Sequence, residues 1–373
     1  MEIYLDHAAT TKPCKESVAA INSALTEIWG NPSAVHQMGL TAEKAVKYAR
    51  NQVADALGCD PGQVYFTSGG TEGDNFAIFS VAEKYQKRGK HIITTAYEHS
   101  AVLSSVRHLE ERGFEVTYLT PEADGTIGKR QLMQALRKDT ILVSIMMVNN
   151  EVGAKNDIAA LSKLTHQKSE AIFHTDAVQS FLKVPFRASS LGADIITVSG
   201  HKIQGPKGIG AMYVGKNVHL PPCQYGGGQE KGLRSGTENV PMILGFGAAC
   251  EAAMKNLPEK LRNMEALKQR LLAGLSTMED VVVNGTPMAP HVVSLGVPGV
   301  RSQGLIGCLQ EEHIYVSAGS ACSRGHRSHV LEAMNIPPEV IDGSIRVSFC
   351  YDTTEDEVDA FLSALARAIK RLK

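Results

Sequence analysis

The sequence carries no excess charge of either sign, no long apolar run and no closely paired cysteines. Basic residues number 38 and acidic residues 39, a formal net charge of −1. That balance argues against a nucleic-acid surface or a polybasic membrane patch. The basic end Lys370-Arg371-Leu372-Lys373 is short and reads as a complement to the dipole of a last helix. The longest apolar run, 141–148, has the length of a buried strand and falls far short of a membrane span. Seven cysteines are scattered at 14, 59, 223, 250, 308, 322 and 350, an odd number with no C-x-x-C pair. A disulfide framework is therefore not expected, and a reducing cytoplasm fits. The start Met1-Glu2-Ile3-Tyr4-Leu5-Asp6-His7 lacks the basic opening and apolar stretch of a signal peptide. Internal repeats and low-complexity linkers are also missing.

What is present is a chain of 373 residues, 43% hydrophobic and 21% charged, more than one core usually serves. From about residue 60 to 215, short β-branched runs alternate with helical stretches. The runs are Val64–Thr67, His91–Thr95, Glu115–Leu119, 141–148, 171–176, 194–199 and 209–214, with amphipathic segments such as 100–112 and 129–136 between them. Strand alternating with helix predicts an α/β fold with a mostly parallel sheet covered on both faces. Ligands of such sheets sit beyond the carboxyl ends of the strands. After Val240 the texture changes. A helical stretch over 242–278, broken at Pro258, leads to strand-like runs at 281–283, 291–295 and 344–349 and to a last amphipathic helix over 354–372. This part reads as a smaller α+β domain.

Three strand ends carry three different chemical groups. The strand before Ser199 runs into Gly200-His201-Lys202-Ile203-Gln204-Gly205, a glycine-containing turn with a lysine at its lip. A desolvated or cation-flanked lysine loses its proton and can form a Schiff base. Asp176 ends another strand, in His174-Thr175-Asp176-Ala177-Val178-Gln179, and suits the ring nitrogen of pyridoxal phosphate, with Gln179 near enough for the ring hydroxyl. Ser68-Gly69-Gly70-Thr71-Glu72 follows a strand and opens a helix, as phosphate binding by backbone donors requires. Singly, each has a plainer reading: a solvated lysine, a helix cap, a simple turn.

Ordered motifs extend along nearly the whole chain. They are Tyr4-Leu5-Asp6-His7-Ala8-Ala9-Thr10-Thr11, Gly30-Asn31-Pro32-Ser33, Thr67-Ser68-Gly69-Gly70-Thr71-Glu72, Glu98-His99, Val148-Asn149-Asn150-Glu151-Val152-Gly153, His174-Thr175-Asp176-Ala177, Ser199-Gly200-His201-Lys202, Arg234-Ser235-Gly236-Thr237, Ser317-Ala318-Gly319-Ser320-Ala321-Cys322 and Ser344-Ile345-Arg346. Together they resemble the cysteine desulfurases of the IscS and NifS kind, within the class V aminotransferase-like fold. The resemblance implies a fold type I pyridoxal-phosphate enzyme, with a mostly parallel seven-stranded sheet in a large domain (15–250) and a small domain (1–14 and 251–373). It implies that Lys202 carries the cofactor, that Asp176 and Gln179 meet the ring nitrogen and oxygen, and that His99 stacks on the ring and relays protons. Gly70, Thr71, Ser199 and His201 look like phosphate ligands, and Thr237 like one lent by a neighbouring subunit, so a homodimer is implied. Asn150 and Arg346 look like the clamp on the substrate carboxylate, a role that suits a bidentate guanidinium. Read without the resemblance, His99 is a capping or core histidine and Arg346 closes a structural ion pair.

Cys322 lies in Ser317-Ala318-Gly319-Ser320-Ala321-Cys322-Ser323-Arg324-Gly325-His326-Arg327-Ser328-His329, where two arginines and two histidines favour a thiolate. The other six cysteines lie mostly in apolar or turn contexts. By resemblance, L-cysteine becomes L-alanine and Cys322 keeps the sulfur as a persulfide for a protein acceptor, an iron–sulfur scaffold or a tRNA-thiolating enzyme. The cysteine stretch is shorter than in better-known members and carries Arg-Gly-His where they have small polar residues. The chain also stops soon after its last helix, without the extension by which some relatives hold a scaffold protein, so the acceptor stays open. Three other readings remain: a selenocysteine lyase or other class V lyase or transaminase; a zinc module on Cys322, His326 and His329, which lacks a clear fourth ligand; and a non-catalytic scaffold.

Overall fold

A computed structural model describes residues 2–318 and 327–373. Its strands in chain order are β1 (Ile3–Tyr4), β2 (Val64–Thr67), β3 (His91–Thr95), β4 (Glu115–Leu119), β5 (Thr140–Ser144), β6 (Ile172–Asp176), β7 (Ile195–Ser199), β8 (Gly210–Val214), β9 (Val282–Val283), β10 (Val292–Gly296), β11 (Ile314–Tyr315) and β12 (Ser344–Ser348). Seven of them form the large sheet in the order β2-β8-β7-β6-β5-β3-β4. β8 runs antiparallel to both neighbours, and the other pairings are parallel. Successive side chains on a strand point to opposite faces. Accordingly Ile93, Val143, Ile196 and Ala211 join one core, while Ile92, Leu142, Ile195 and Met212 join another. Burial on both faces explains why these strands read as continuous apolar runs.

A third core has its own members. Antiparallel β12-β10-β9 and the parallel pair β1-β11 pack with helices Leu257–Leu275, Ser302–Glu311 and Glu355–Leu372 around Leu5, Leu271, Leu295, Ile345 and Phe361. The last helix starts on a reciprocal cap between Thr354 and Glu357, with acids in its first turn and Lys370 and Arg371 in its last, which suits its dipole. No helix of the described residues is long and apolar enough to cross a membrane.

Two expected boundaries shift, each for a physical reason. The run 141–148 leaves the sheet after Ser144, because Met146 and Val148 turn aside to wall a cavity. The stretch 242–278 divides into Val240–Met254 and Leu257–Leu275. The break comes at Asn256 in a left-handed conformation, φ 55°, two residues before Pro258; proline cannot continue the first helix and suits the opening turn of the second.

The chain start connects the two parts. After β1, residues 6–14 run between β12 and the turn after β7: the Ser348 amide donates to Leu5 O (2.7 Å), Thr11 to His201 O (2.9 Å) and Cys14 to Gln204 O (2.8 Å). A second long-range tie is ionic. Arg50 donates to both carboxylate oxygens of Glu230 (2.8 and 2.7 Å) and to Val64 O, while Glu230 accepts the Phe66 amide. Glu230 is buried, so Arg50→Ala leaves an uncompensated charge and is expected to cost about 3–5 kcal/mol. Urea denaturation checks this against Arg371→Ala, which removes an exposed pair with Glu311 expected to contribute roughly 0–1 kcal/mol; equal midpoint shifts would contradict it.

Candidate active site

Beyond the carboxyl ends of β2, β6 and β7 lies a cavity of about 300 Å³ lined by Ala8, Ala9, Gly70, Thr71, Asp74, His99, Met146, Val148, Asn150, Asp176, Val178, Gln179, Ser199, His201, Lys202 and Arg346. Lys202 sits on the single helical turn Gly200–Lys202 that follows β7. Its amine donates to the carbonyls of Ala8 (2.5 Å) and Ala9 (2.8 Å). Burial, then the positive charges of Arg346 and Lys183, lowers its pKa from 10.5 to about 7. Neutral carbonyls orient the amine but supply no counter-charge. The lowered pKa gives the amine a neutral fraction near neutral pH that an ordinary lysine lacks, the state a nucleophilic lysine needs.

On β6, Asp176 is buried and accepts the Val178 amide at 2.8 Å. Burial and then the neighbouring Asp74 push its carboxyl up to about 7; His99 and His174 act in the opposite sense. Asp74 is itself buried, and desolvation pushes it up to about 8. Gln179 donates to Ala8 O (2.9 Å), and its carbonyl faces His291 at 3.4 Å. His99 does cap a helix: its Nδ1 accepts the Ala101 amide at 3.2 Å, at the start of Ser100–Glu111. A neutral ring bonded in this way carries its proton on Nε2. Burial lowers the His99 pKa, Asp176 raises it, and Lys202 and His329 lower it further. The same histidine is therefore both a helix cap and part of the cavity wall.

A second cleft, at a helix start, adjoins the cavity. β2 leads into helix Gly70–Tyr85, whose cap residue Gly69 has no side chain to answer the first-turn amides. Thr71, Ser199, His201 and Lys207 surround this helix start. A Cβ on Gly70 would stand 2.7 Å from Val178 Cγ2, so any larger residue would have to displace Val178 from the turn after Asp176. His201 Nδ1 lies 3.1 Å from Thr10 Oγ1, and burial with Lys202, Lys207 and Lys183 nearby lowers its pKa to about 3. Glu72 would repel an anion here. Burial raises its pKa, but bonds from Arg234 (2.8 Å) and the Ser68 amide (3.0 Å) outweigh this and hold it below the usual carboxylate range.

Arg346, on β12, donates from Nη1 to Asn150 O and from Nη2 to Asp6 Oδ1, both at 2.8 Å. Asn150 thus meets Arg346 through its backbone. Arg346 closes an ion pair and lines the cavity at once, so here too the plainer reading and the functional one coexist. Thr237 is exposed and does not line the cavity of its own chain. Cys322 and His326 lie outside the described residues. His329 bonds Glu98 O through Nε2 at 2.9 Å. Sequence reasoning assigned no role to the Ala8 and Ala9 carbonyls, Asp74 or Lys183. Lys183 is buried, with no hydrogen-bond partner for its amine among the described residues, and burial lowers its pKa to about 8. The one available signal was the position of Ala8 and Ala9 inside the Asp6–Thr10 motif.

Residues 3–361 match the aminotransferase class-V family. A curated relative, cysteine desulfurase IscS of Methanosarcina thermophila, is 40% identical over 375 residues, covering 100% of this chain and 93% of its own length. Cysteine desulfurase IscS of Escherichia coli O139:H28 is 43% identical over 382 residues, with 100% and 94% covered. Among solved structures, a NifS-like protein superposes with a TM-score of 0.94 at 37% identity, covering 100% of both chains. The chain belongs to the class-V aminotransferase family of pyridoxal-phosphate-dependent enzymes. Within that family it is a cysteine desulfurase of the IscS and NifS type.

The residues present fit that cofactor. A partly neutral amine can attach the aldehyde, a buried carboxyl with only weakly basic neighbours gains from a cationic ring N–H, and uncapped amides at a helix start suit a phosphate. Because the Lys202 pKa lies at about 7, its neutral form grows as pH rises through that value. The rate at which the cofactor-free chain takes up pyridoxal phosphate is expected to rise by roughly tenfold between pH 6 and 8 and then level off. Stopped-flow absorbance checks this; a rate still climbing toward pH 10 would mean an ordinary lysine.

Proposed function

We propose that Lys202 carries the pyridoxal phosphate, that Arg346 and Asn150 orient the substrate carboxylate, and that Cys322 receives sulfur from L-cysteine. The observation that supports this best is one cavity holding a partly neutral amine, a buried carboxyl and a buried guanidinium on three different strands or strand ends. When bound, pyridoxal phosphate acts as an electron sink that acidifies the substrate Cα–H. Asp176 would hold a proton at the ring nitrogen, Gly70, Thr71, Ser199 and His201 would hold the phosphate, and Gln179 would meet the ring oxygen. Once the substrate amine has taken its place on the cofactor, the freed Lys202 would take the Cα proton at its Nζ and return it, with His99 relaying protons from Nε2. The Cys322 thiolate forms a bond to the substrate sulfur as the Cβ–S bond breaks. The bonding pair goes to Cβ, which gains a proton. The products are alanine and a Cys322 persulfide, with no outside oxidant or reductant consumed.

The same reading includes a homodimer in which Thr237 serves the neighbouring subunit. The exposed side chains Trp29, Val35, Met38 and Tyr48 support it, because large apolar side chains exposed along one stretch mark contact surfaces. A cleft lined by Pro32, Lys47, Gly228 and Glu238 brings that stretch beside the Thr237 segment. It also includes the division into 15–250 and 1–14 with 251–373, supported by the separate core around Leu271 and Phe361. A cytoplasmic setting and transfer of the sulfur to an iron–sulfur scaffold or a tRNA-thiolating enzyme complete it.

Cys322→Ala is expected to lower alanine formation from cysteine by roughly 10³-fold or more, with the absorbance of bound pyridoxal phosphate retained. Alanine and sulfide assays on the full chain decide. Undiminished turnover would sink the persulfide mechanism and favour a selenocysteine lyase or another class V lyase.

A further inference from the structure

We propose that Glu151 is a positioning residue for sulfur transfer: through Ser328 it anchors the root of the Cys322-bearing segment to the loop that carries Asn150. The inference rests on the reading above only for the purpose of the anchor; its geometry lies wholly in residues away from the segment itself.

Three consecutive residues after that segment are held by three different parts of the fold. Arg327 makes two bonds to Asp342, at 2.7 and 2.8 Å. The Ser328 hydroxyl donates to Glu151 Oε2 and accepts the Leu331 amide at 3.2 Å, capping the short helix His329–Ala333. His329 bonds the carbonyl of Glu98 at 2.9 Å, one residue before His99. Of these, the Arg327–Asp342 pair is exposed on both sides, and exposed pairs contribute little. The Glu151–Ser328 bond is buried, where a hydrogen bond is stronger and cannot be replaced by water.

Glu151 is itself rigidly placed. Its amide donates to Asn149 Oδ1 at 2.9 Å, and the Asn149 side-chain amide donates to Tyr97 O at 3.1 Å. One buried network thus joins the Tyr97–His99 turn, the Asn149–Glu151 turn and Ser328. Glu151 does not line the cavity, although its neighbour Asn150 does. Its Oε1 is buried without a hydrogen-bond partner among the described residues. Burial outweighs the Ser328 bond, His329 and Arg346 and leaves its pKa raised. A half-satisfied buried carboxyl is a costly way to fill space. Its position is better explained by what it holds: the chain leaving the sulfur-carrying segment, set against the loop that orients the substrate.

The test is limited trypsin digestion of the full chain, reading cleavage after Arg327 by mass spectrometry, alongside single-turnover alanine formation. Glu151→Ala should speed cleavage after Arg327 by roughly tenfold, with cleavage elsewhere unchanged, because it frees the local unit and not the fold. Alanine formation should fall by roughly tenfold while the cysteine concentration for half-saturation and the bound-cofactor absorbance stay as in the wild type. Glu151→Gln keeps an acceptor oxygen for Ser328 and should recover most of both effects. Should Glu151→Ala not fold, Ser328→Ala should give the same local acceleration. Unchanged cleavage after Arg327 in Glu151→Ala or Ser328→Ala overturns the anchor, as does Glu151→Gln behaving like Glu151→Ala. A wild-type chain that forms no alanine, with the digestion pattern as expected, supports the anchor and removes the desulfurase reading instead.

Discussion

The half-buried amine of Lys202 is held by two backbone carbonyls from the first ten residues of the chain. Ala8 and Ala9 can reach it only because residues 6–14 cross from β1 in the small sheet to the turn after β7. That crossing is fixed at one end by Ser348 on β12 and at the other by His201 and Gln204. The core around β10 and β12 and the cavity of the large sheet are therefore built on one shared segment. Carbonyls are suited to this position. A carboxylate there would keep the amine charged, while an apolar wall would leave its N–H groups unpaired.

The same burial separates the acids by role. Asp74, Glu98 and Asp176 are all buried, and desolvation pushes each carboxyl up. Carboxyls within electrostatic reach of one another cannot all be ionised. Asp176 has His99 and His174 beside it to offset the penalty, and like Asp74 it lines the cavity. Glu98 instead accepts bonds from Thr95 (2.9 Å) and the Met146 amide (2.8 Å), and so braces the turn that presents His99. Of the three, Asp176 ends a strand at the cavity with two histidines beside it, an arrangement that would suit a cationic ring nitrogen.

Much of this was legible in the sequence. The strand ends at Thr67, Asp176 and Ser199 showed as apolar runs breaking into polar, glycine-containing turns, and their chemistry follows from side chains. The carbonyl acceptors of Lys202 have no side-chain signature, and their partner lies nearly two hundred positions away, so no local pattern could show them. Asp74 is hidden inside a helix and would pass for a solvated residue. The helix cap on His99 and the ion pair of Arg346 were both foreseen as rivals to function, and both exist alongside a place in the cavity wall. The run 141–148 looked like one strand because apolar character marks burial, and burial there continues past the sheet into the cavity wall. Glu151 stood in plain view beside Asn150, yet its partner Ser328 becomes a neighbour only through the fold.

The central claim is that Lys202, and not another lysine, is the cofactor's attachment point. Lys183 makes this a real choice, being buried too, with a pKa lowered to about 8. Borohydride reduction of the chain loaded with pyridoxal phosphate, followed by peptide mass mapping, decides between them. One pyridoxyl group per chain is expected, on the peptide containing Lys202. A label on Lys183, or none on Lys202 in a fully loaded protein, would contradict it.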